Sequence, residues 1–231
     1  MIAALPAEIL YKALIPLLNT WSILALAGCS KRLWKICQEG YDFPKVECNI
    51  RKRHHWRLFK NFLRQKSKTV KQIHLKIATV GLPYQIPHCP RVSVLGLTFY
   101  DYRTQRQAIN LDKFLPPLYL SLPAVVSLDI SVSQRQRTYQ GSPNAVLYPS
   151  PWTLSELRLK FGHHDLEAES WKALLANTVD LKKMSLVGGA IQHRDLFMNR
   201  YENTIQELEL EWVVTKVGYR LNVMYLSLIH I

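Results

Sequence analysis

The sequence predicts an α/β protein in which a short helical module, residues 1–44, precedes a longer region, residues 45–231, of short parallel strands that return by helices or loops. Two observations predict this. The first forty-odd residues show apolar positions at helical spacing, and an apolar core recurs six times beyond Pro44. A chain of 231 residues that is 48% hydrophobic can bury a substantial core. No stretch has the roughly 20 uninterrupted apolar residues of a membrane span, so we expect no membrane partner.

The N-terminal module begins with a helix. Pro6 suits a first helical turn because its missing N–H costs nothing there, and Glu8 complements the helix dipole. Pro16 should kink or end this helix, and Asn19-Thr20 marks a turn before a second helix from Ile23. The apolar positions of the module are Ile9, Leu10, Ala13, Leu14, Leu17, Leu18, Ile23, Leu24, Leu26, Ala27, Leu33, Trp34 and Ile36.

The stretch from Leu26 to Cys29 permits a second interpretation, because it is similar to the lipobox of a bacterial lipoprotein signal, whose cysteine becomes lipidated. A signal peptide needs a positively charged start and an unbroken apolar stretch. Here the first basic residue is Lys12, and Glu8 and Pro16 interrupt the apolar stretch. We therefore expect Cys29 to be a small buried hydrophobe. The other cysteines, at positions 37, 48 and 89, lack paired metal-ligand spacing and indicate a reducing compartment.

The residues of the module are similar to those of one known family. Leu5-Pro6-Ala7-Glu8-Ile9-Leu10, a leucine-rich helix and then SILALAGCSKRLWKIC together resemble an F-box, the helical motif that docks the adaptor of SCF ubiquitin ligases. The resemblance covers residues 5–40. It implies an adaptor-binding surface made of Leu5, Pro6, Glu8, Ile9, Leu10, Leu14, Leu17, Leu24, Leu26, Leu33 and Trp34. So much aliphatic surface on short helices exceeds what they can bury among themselves, which favours an interface, although a helical cap on a repeat domain needs similar helices.

The positive charge is concentrated in one segment. Of the net charge of +13, eleven basic residues and no acid lie between Cys48 and Tyr100. Apolar residues from Arg51 to Gln65 follow helical spacing, with basic residues on the opposite side, so a solvated helix face explains the segment. The alternative is that region 51–76 binds nucleic acid or an acidic partner. Nucleic acid is not favoured, because no helix-turn-helix or RNA-binding signature accompanies the charge.

Beyond Pro44 an apolar core of the type Leu-x-x-Leu-x-Leu recurs, with successive starts 22 to 33 residues apart. This pattern resembles leucine-rich repeats, which place one short strand in each repeat and form a solenoid. The family's Asn or Cys after the strand is absent, so an irregular solenoid is expected. The six cores are Val70/Ile73/Leu75, Val92/Leu95/Leu97, Val125/Leu128/Ile130, Leu154/Leu157/Leu159, Leu181/Met184/Leu186 and Ile205/Leu208/Leu210.

An F-box followed by leucine-rich repeats resembles the substrate receptors of SCF ligases. The resemblance implies that the chain binds the adaptor, the cullin scaffold and a protein substrate in the cytoplasm or nucleus, catalyses nothing itself and needs no cofactor. Residues that alternate with the aliphatics lie on the opposite face of each strand, where a substrate could bind. The candidates are His74, Lys76, Arg158, Lys160, Glu207, Glu209 and Glu211.

No sequence motif indicates that the chain itself catalyses a reaction. There is no glycine-rich phosphate loop, nucleophile elbow or pair of zinc-binding cysteine dipeptides. His163, His164, Asp165 and Glu167 form the best metal-like cluster, but a polar turn entering a helix, with Asp165 as its N-cap, explains them, so we expect no metal.

The C-terminal residues are expected to be incomplete. Leu221/Met224/Leu226 has the spacing of a seventh strand core, but no polar terminal cap follows it. Ser227 to Ile231 resembles the translation of a sequencing adapter, so we expect a truncated repeat region and no functional role for this tail.

Overall fold

The computed structural model describes residues 5–15, 18, 22–23, 25–26, 29–39, 44–78, 85–100, 111–133, 148–161, 168–188, 200–211, 215–216, 219–220 and 225–226. The helices are Ala7–Ile9 (α1), which passes into a π-helical turn at Leu10–Leu14, Lys31–Glu39 (α2), Arg53–Lys66 (α3), Leu111–Ser121 (α4) and Ala168–Leu174 (α5). The strands are Lys45–Ile50 (β1), Gln72–Ile77 (β2), Val94–Tyr100 (β3), Ser127–Ser133 (β4), Glu156–Phe161 (β5), Lys183–Gly188 (β6), Glu207–Glu211 (β7), Thr215–Lys216 (β8), Tyr219–Arg220 (β9) and Tyr225–Leu226 (β10).

One sheet organises the molecule. Its strands lie in the order β1-β2-β3-β4-β5-β6-β7-β10, and β1 to β7 are all parallel. The predicted α/β class is therefore confirmed. Tyr225 and Leu226 instead pair antiparallel with β7, so the interpretation of Leu226 as part of a further parallel repeat is wrong. Strands β8 and β9 form a separate antiparallel pair.

The predicted apolar cores form one side of this sheet. Every aliphatic residue of the first five cores is buried, and in the sixth Ile205 is buried while Leu208 and Leu210 are partly buried against the same cluster. Strand β1 was not predicted, although Val46, Cys48 and Ile50 are buried in alternation. That alternation was a readable signal, and Phe43 stands three residues before Val46, where the repeat pattern has its first core residue.

Strand starts are tied together by a repeated backbone arrangement. The amides of Lys71 and Gln72 both donate to the carbonyl of Pro44, at 2.9 and 2.8 Å. The same two-to-one pattern recurs at each later boundary between β2 and β7, with Lys71, Ser93, Val126, Ser155 and Lys182 supplying the carbonyls. Because each carbonyl accepts two amides of the next strand, all seven strands begin at one level.

The helices bury their apolar sides against the sheet. Trp56, Phe59, Phe62 and Leu63 of α3 are buried, as the helical spacing predicts. Trp171, Leu174 and Leu175 at α5 are also buried, which confirms the predicted helical return there.

Helix α4 was not predicted, because Pro116 and Pro117 lie in its interior and proline normally breaks a helix. Its buried residues Leu111, Phe114 and Leu115 show that core packing outweighs the lost backbone bonds.

The N-terminal module shares the core of the sheet. Leu10, Ile15, Ile23 and Leu33 belong to the same buried cluster as the strand residues. Arg32 of α2 donates to the carbonyl of Leu5 at 2.8 Å, which ties the start of α1 to α2. Among the described residues, no helix has the length and apolarity to cross a membrane.

Three of the four cysteines behave as expected and one does not. Cys37, Cys48 and Cys89 are buried, and burial raises the pKa of Cys48 to about 12 and that of Cys89 to about 11. These thiols are therefore protonated at neutral pH and act as small hydrophobes. Cys29 is exposed, so the expectation that it is buried is wrong. Its thiol donates to the Ala25 carbonyl at 3.3 Å, one helical turn earlier.

Candidate functional site: the open face of the sheet

The open face is the side of β1–β7 that turns away from the core. The parallel register aligns its side chains into three rows that cross the strands. The first row is Lys45, Gln72, Val94, Ser127, Glu156, Lys183 and Glu207. The second is Glu47, His74, Gly96, Asp129, Arg158, Ser185 and Glu209. The third is Asn49, Lys76, Thr98, Ser131, Lys160, Val187 and Glu211.

A cavity of about 530 Å³ lies on this face. Strands β2 to β7 all contribute to its walls, and the lining includes the polar or charged residues His74, Asp129, Arg158, Ser185, Glu209 and Glu211. More of the wall surface is apolar than polar. A mostly apolar concavity with a few polar groups is a typical place for a binding site.

Gly96 shapes the middle of the second row. A Cβ atom at Gly96 would clash with Nδ1 of His74, so the His74 ring occupies the space that a side chain on β3 would need. The ring therefore lies over β3, between its own strand and the Asp129 strand. Any side chain larger than hydrogen at position 96 would displace the imidazole.

His74 and Asp129 are both half-buried, and their ionisation reflects it. Burial, with help from Lys45, lowers the pKa of His74 below its usual range, so the ring is neutral at pH 7. Burial likewise raises the pKa of Asp129, although Arg158, His74 and Lys160 act in the opposite direction. A neutral histidine next to a partly desolvated carboxylate offers both a hydrogen-bond donor and acceptors to a partner.

Several charges on the open face are already paired. Lys183 Nζ lies 2.9 Å from Glu207 Oε1, and this contact raises the pKa of Lys183. Ser185 Oγ donates to Glu209 at 2.6 Å, and Ser127 Oγ donates to Glu156 at 3.0 Å. At the β1 edge, Lys45 and Glu47 pair at 2.7 Å.

All seven predicted substrate-binding residues lie on the open face. His74, Arg158, Glu207, Glu209 and Glu211 line the cavity. Lys76 and Lys160 are exposed in the third row and do not line the cavity.

Within the cavity wall, Asp129 and Ser185 were not among the predicted substrate-binding residues, although the same strand alternation places them on this face. The role of Gly96 in leaving space for the His74 ring was not predicted either, because no sequence pattern shows that a glycine makes room for a distant side chain.

The predicted adaptor-binding residues are divided. Pro6 and Glu8 are exposed and Ile9 is 47% exposed, whereas Leu5, Leu14 and Leu26 are partly buried against the core. Leu10 and Leu33 are buried inside the chain, so placing them on an exposed docking surface was wrong. Their side chains complete the core beneath the module. Leu17, Leu24 and the side chain of Trp34 lie outside the described residues.

The metal-like cluster at residues 163–167 also lies outside the described residues. Within the part of the chain that the structure describes, no group of three His, Cys, Asp or Glu side chains is placed to hold a metal ion.

No protein-family model, curated protein or solved structure matches this chain. Because fold alone does not imply function, proposals must rest on the chemistry of the open face and the N-terminal module.

Proposed function

We propose that this chain is the substrate-recognition subunit of an SCF-type ubiquitin ligase, with an F-box at residues 1–44 and leucine-rich repeats beyond it. The observation that carries the proposal is the open face, where seven parallel strands align polar and charged side chains around a cavity of about 530 Å³. Such a face suits a protein segment as ligand. The chain acts by holding its substrate near a ubiquitin-charged enzyme, which raises the local concentration and orients the substrate lysine.

The adaptor would bind the outer side of the N-terminal module. Pro6, Glu8 and Ile9 are exposed there, and the partly buried Leu5 and Leu14 extend the apolar surface. An apolar residue that is 47% exposed at a helix start supports docking of a partner. The cullin would be reached through the adaptor, which places the assembly in the cytoplasm or nucleus.

The adaptor proposal is tested by Ile9→Asp, with Leu58→Asp as matched control. Leu58 on α3 is 50% exposed and lies outside the module. Burying an unpaired carboxylate in an apolar interface costs several kcal/mol, which is on the order of a hundredfold in affinity. In pull-downs from a eukaryotic lysate quantified by mass spectrometry, Ile9→Asp should lose the adaptor and cullin while Leu58→Asp keeps them. Equal recovery with both folded variants would remove the F-box assignment.

A second candidate function is binding of nucleic acid or an acidic partner through α3. Arg53, Arg57 and Arg64 are exposed along it, although Arg64 donates to Asn61 at 2.9 Å. We place this candidate second because keeping the outer side of an amphipathic helix hydrated already explains these charges. Salt-dependent retention of the full chain on immobilised DNA or RNA would favour it.

A further inference from the structure

Opposite charges stand two strands apart on the open face. Arg158 and Lys160 are exposed on β5, and within the described residues neither has a carboxylate at ion-pair distance. Glu209 and Glu211 lie on β7, with Glu209 accepting only a neutral hydroxyl in the described part of the chain. Glu207 is different, because Lys183 already neutralises it. In the second and third rows the charge is therefore positive on β5 and negative on β7, whereas Lys183 and Glu207 of the first row neutralise each other.

The strand between them is neutral. Ser185 and Val187 of β6 stand in register between the two charged pairs, Arg158 with Glu209 and Lys160 with Glu211. Val187 is buried to 2% exposure, and Ser185 is held by its bond to Glu209. Ser185 also lines the cavity. An occupant needs no charge where it crosses β6.

Asp129 is the nearest acid on the other side of β5. It stands next to Arg158 in the second row and lowers the free positive charge there. Glu156, in the first row of β5 itself, is a second carboxylate and accepts from the Ser127 hydroxyl. Arg158 and Lys160 are the β5 side chains of the second and third rows, so the positive charge of β5 is confined to those two rows. An acidic side chain of a partner would therefore be attracted to it.

The distance between the charged strands limits the shape of the occupant. Neighbouring strands lie about 4.8 Å apart, so β5 and β7 are separated by roughly 9.5 Å. In a polyproline II segment, residues three positions apart share one side and lie about 9.3 Å apart along its axis. An acidic and a basic residue at that spacing would meet both charged strands at once.

We propose that the open face between β5 and β7 binds an extended protein segment of the pattern acid–x–x–base, with the acid over Arg158 and Lys160 and the base over Glu209 and Glu211. This inference rests on the proposed function, since it names the class of substrate segment. The opposite charges also set the direction of the segment. In the same chain direction, a segment of the pattern base–x–x–acid would place its base over Arg158 and Lys160 and its acid over Glu209 and Glu211, where like charges repel.

Selection of random peptides displayed on phage, with the full chain as bait, tests the inference. The unchanged chain should enrich the acid–x–x–base pattern about tenfold over random. The double variant Arg158→Glu, Lys160→Glu should abolish the preference for the acid. The double variant Glu209→Lys, Glu211→Lys should abolish the preference for the base. Lys182→Glu is the matched control, because Lys182 is exposed, pairs with Asp180 at 3.6 Å and precedes the strand. It should leave enrichment unchanged.

Each remaining outcome overturns the inference. The inference is contradicted if the enriched peptides lack the paired charges, if the β5 variant gives the same enrichment, or if the charges of the enriched peptides recur at helical spacing. The proposed ligase function fails separately, because peptide selection needs no adaptor. If the chain captures the adaptor but enriches no charged pair, only the substrate class is refuted. If the chain enriches the charged pair but does not capture the adaptor, the F-box is refuted.

Discussion

Single side chains on the open face show how burial sets ionisation. Asp129 is held among Arg158, His74 and Lys160, yet its pKa is raised because desolvation outweighs their attraction. His74 is held neutral for the same reason, with its ring lying over Gly96. Burial therefore disfavours the charged form of both side chains relative to water.

Asp129→Asn should stabilise the protein at neutral pH. A carboxyl whose folded pKa is raised contributes stability below its unfolded pKa, near 3.8, and loses that contribution as the pH rises through the folded pKa. At pH 7 the buried carboxylate is therefore unfavourable, and the amide relieves it. We expect a higher urea midpoint at pH 7, with the difference vanishing as the pH falls towards 3.8.

Glu202→Gln, at an exposed position, is the control for this measurement and should show no such pH-dependent gain. A lower midpoint for Asp129→Asn at pH 7 would mean that the attraction of Arg158 and Lys160 outweighs desolvation.

Hydrogen bonds from side chains to backbone join neighbouring elements beneath the sheet. Trp152 Nε1 donates to the Leu122 carbonyl at 2.7 Å, and Tyr201 OH donates to the Thr178 carbonyl at 3.0 Å. Thr204 Oγ1 donates to the Leu181 carbonyl at 3.0 Å. These bonds join successive strand-helix units. Their residue types differ at each step, which is why no repeated polar motif is visible in the sequence.

Thr178→Val should weaken the joint between two such units. Thr178 is fully buried, and its Oγ1 accepts the Leu154 amide at 3.1 Å. Valine keeps the volume but leaves that amide unpaired, which costs about 1–3 kcal/mol of unfolding free energy. Urea denaturation measures the loss, and Thr153→Val at an exposed position serves as control. Equal midpoints for the two variants would show that the Leu154 amide finds another acceptor.

Across the whole molecule, one apolar cluster joins the N-terminal module to the sheet. It extends from Leu10 through the strand cores to Ile205. The module is therefore part of the folded unit, and only its outer side is free for a partner. This distinction separates Ile9, which is 47% exposed, from its neighbour Leu10, which is fully buried.

Leu10→Ala should destabilise the entire chain by about 2–5 kcal/mol, because it opens a cavity in the shared cluster. Ile9→Ala, one position earlier, should cost well under half as much. Denaturation followed by tryptophan fluorescence compares the two. If Leu10→Ala left stability intact but abolished adaptor capture, Leu10 would belong to the interface after all.

Six of the seven parallel strands, and the buried side of each, could be read from local sequence. Strict alternation of aliphatic and polar residues predicts which side of a strand is buried, and six strands and the open-face residues follow from that period. Helix α3 was readable for the same reason, since its apolar side recurs at helical spacing.

The unexpected helix, the division of the module into buried and exposed residues and the pairing of charges follow from tertiary packing, because these features depend on neighbours distant in sequence. Helix α4 forms despite two interior prolines, since packing of Phe114 and Leu115 outweighs local propensity. Leu10 is in the core and Ile9 is not, although both are aliphatic and adjacent. Which charges are paired depends on strand register. The register brings Lys183 to Glu207 and leaves Arg158 without a carboxylate at ion-pair distance within the described residues, a contrast that local sequence cannot encode.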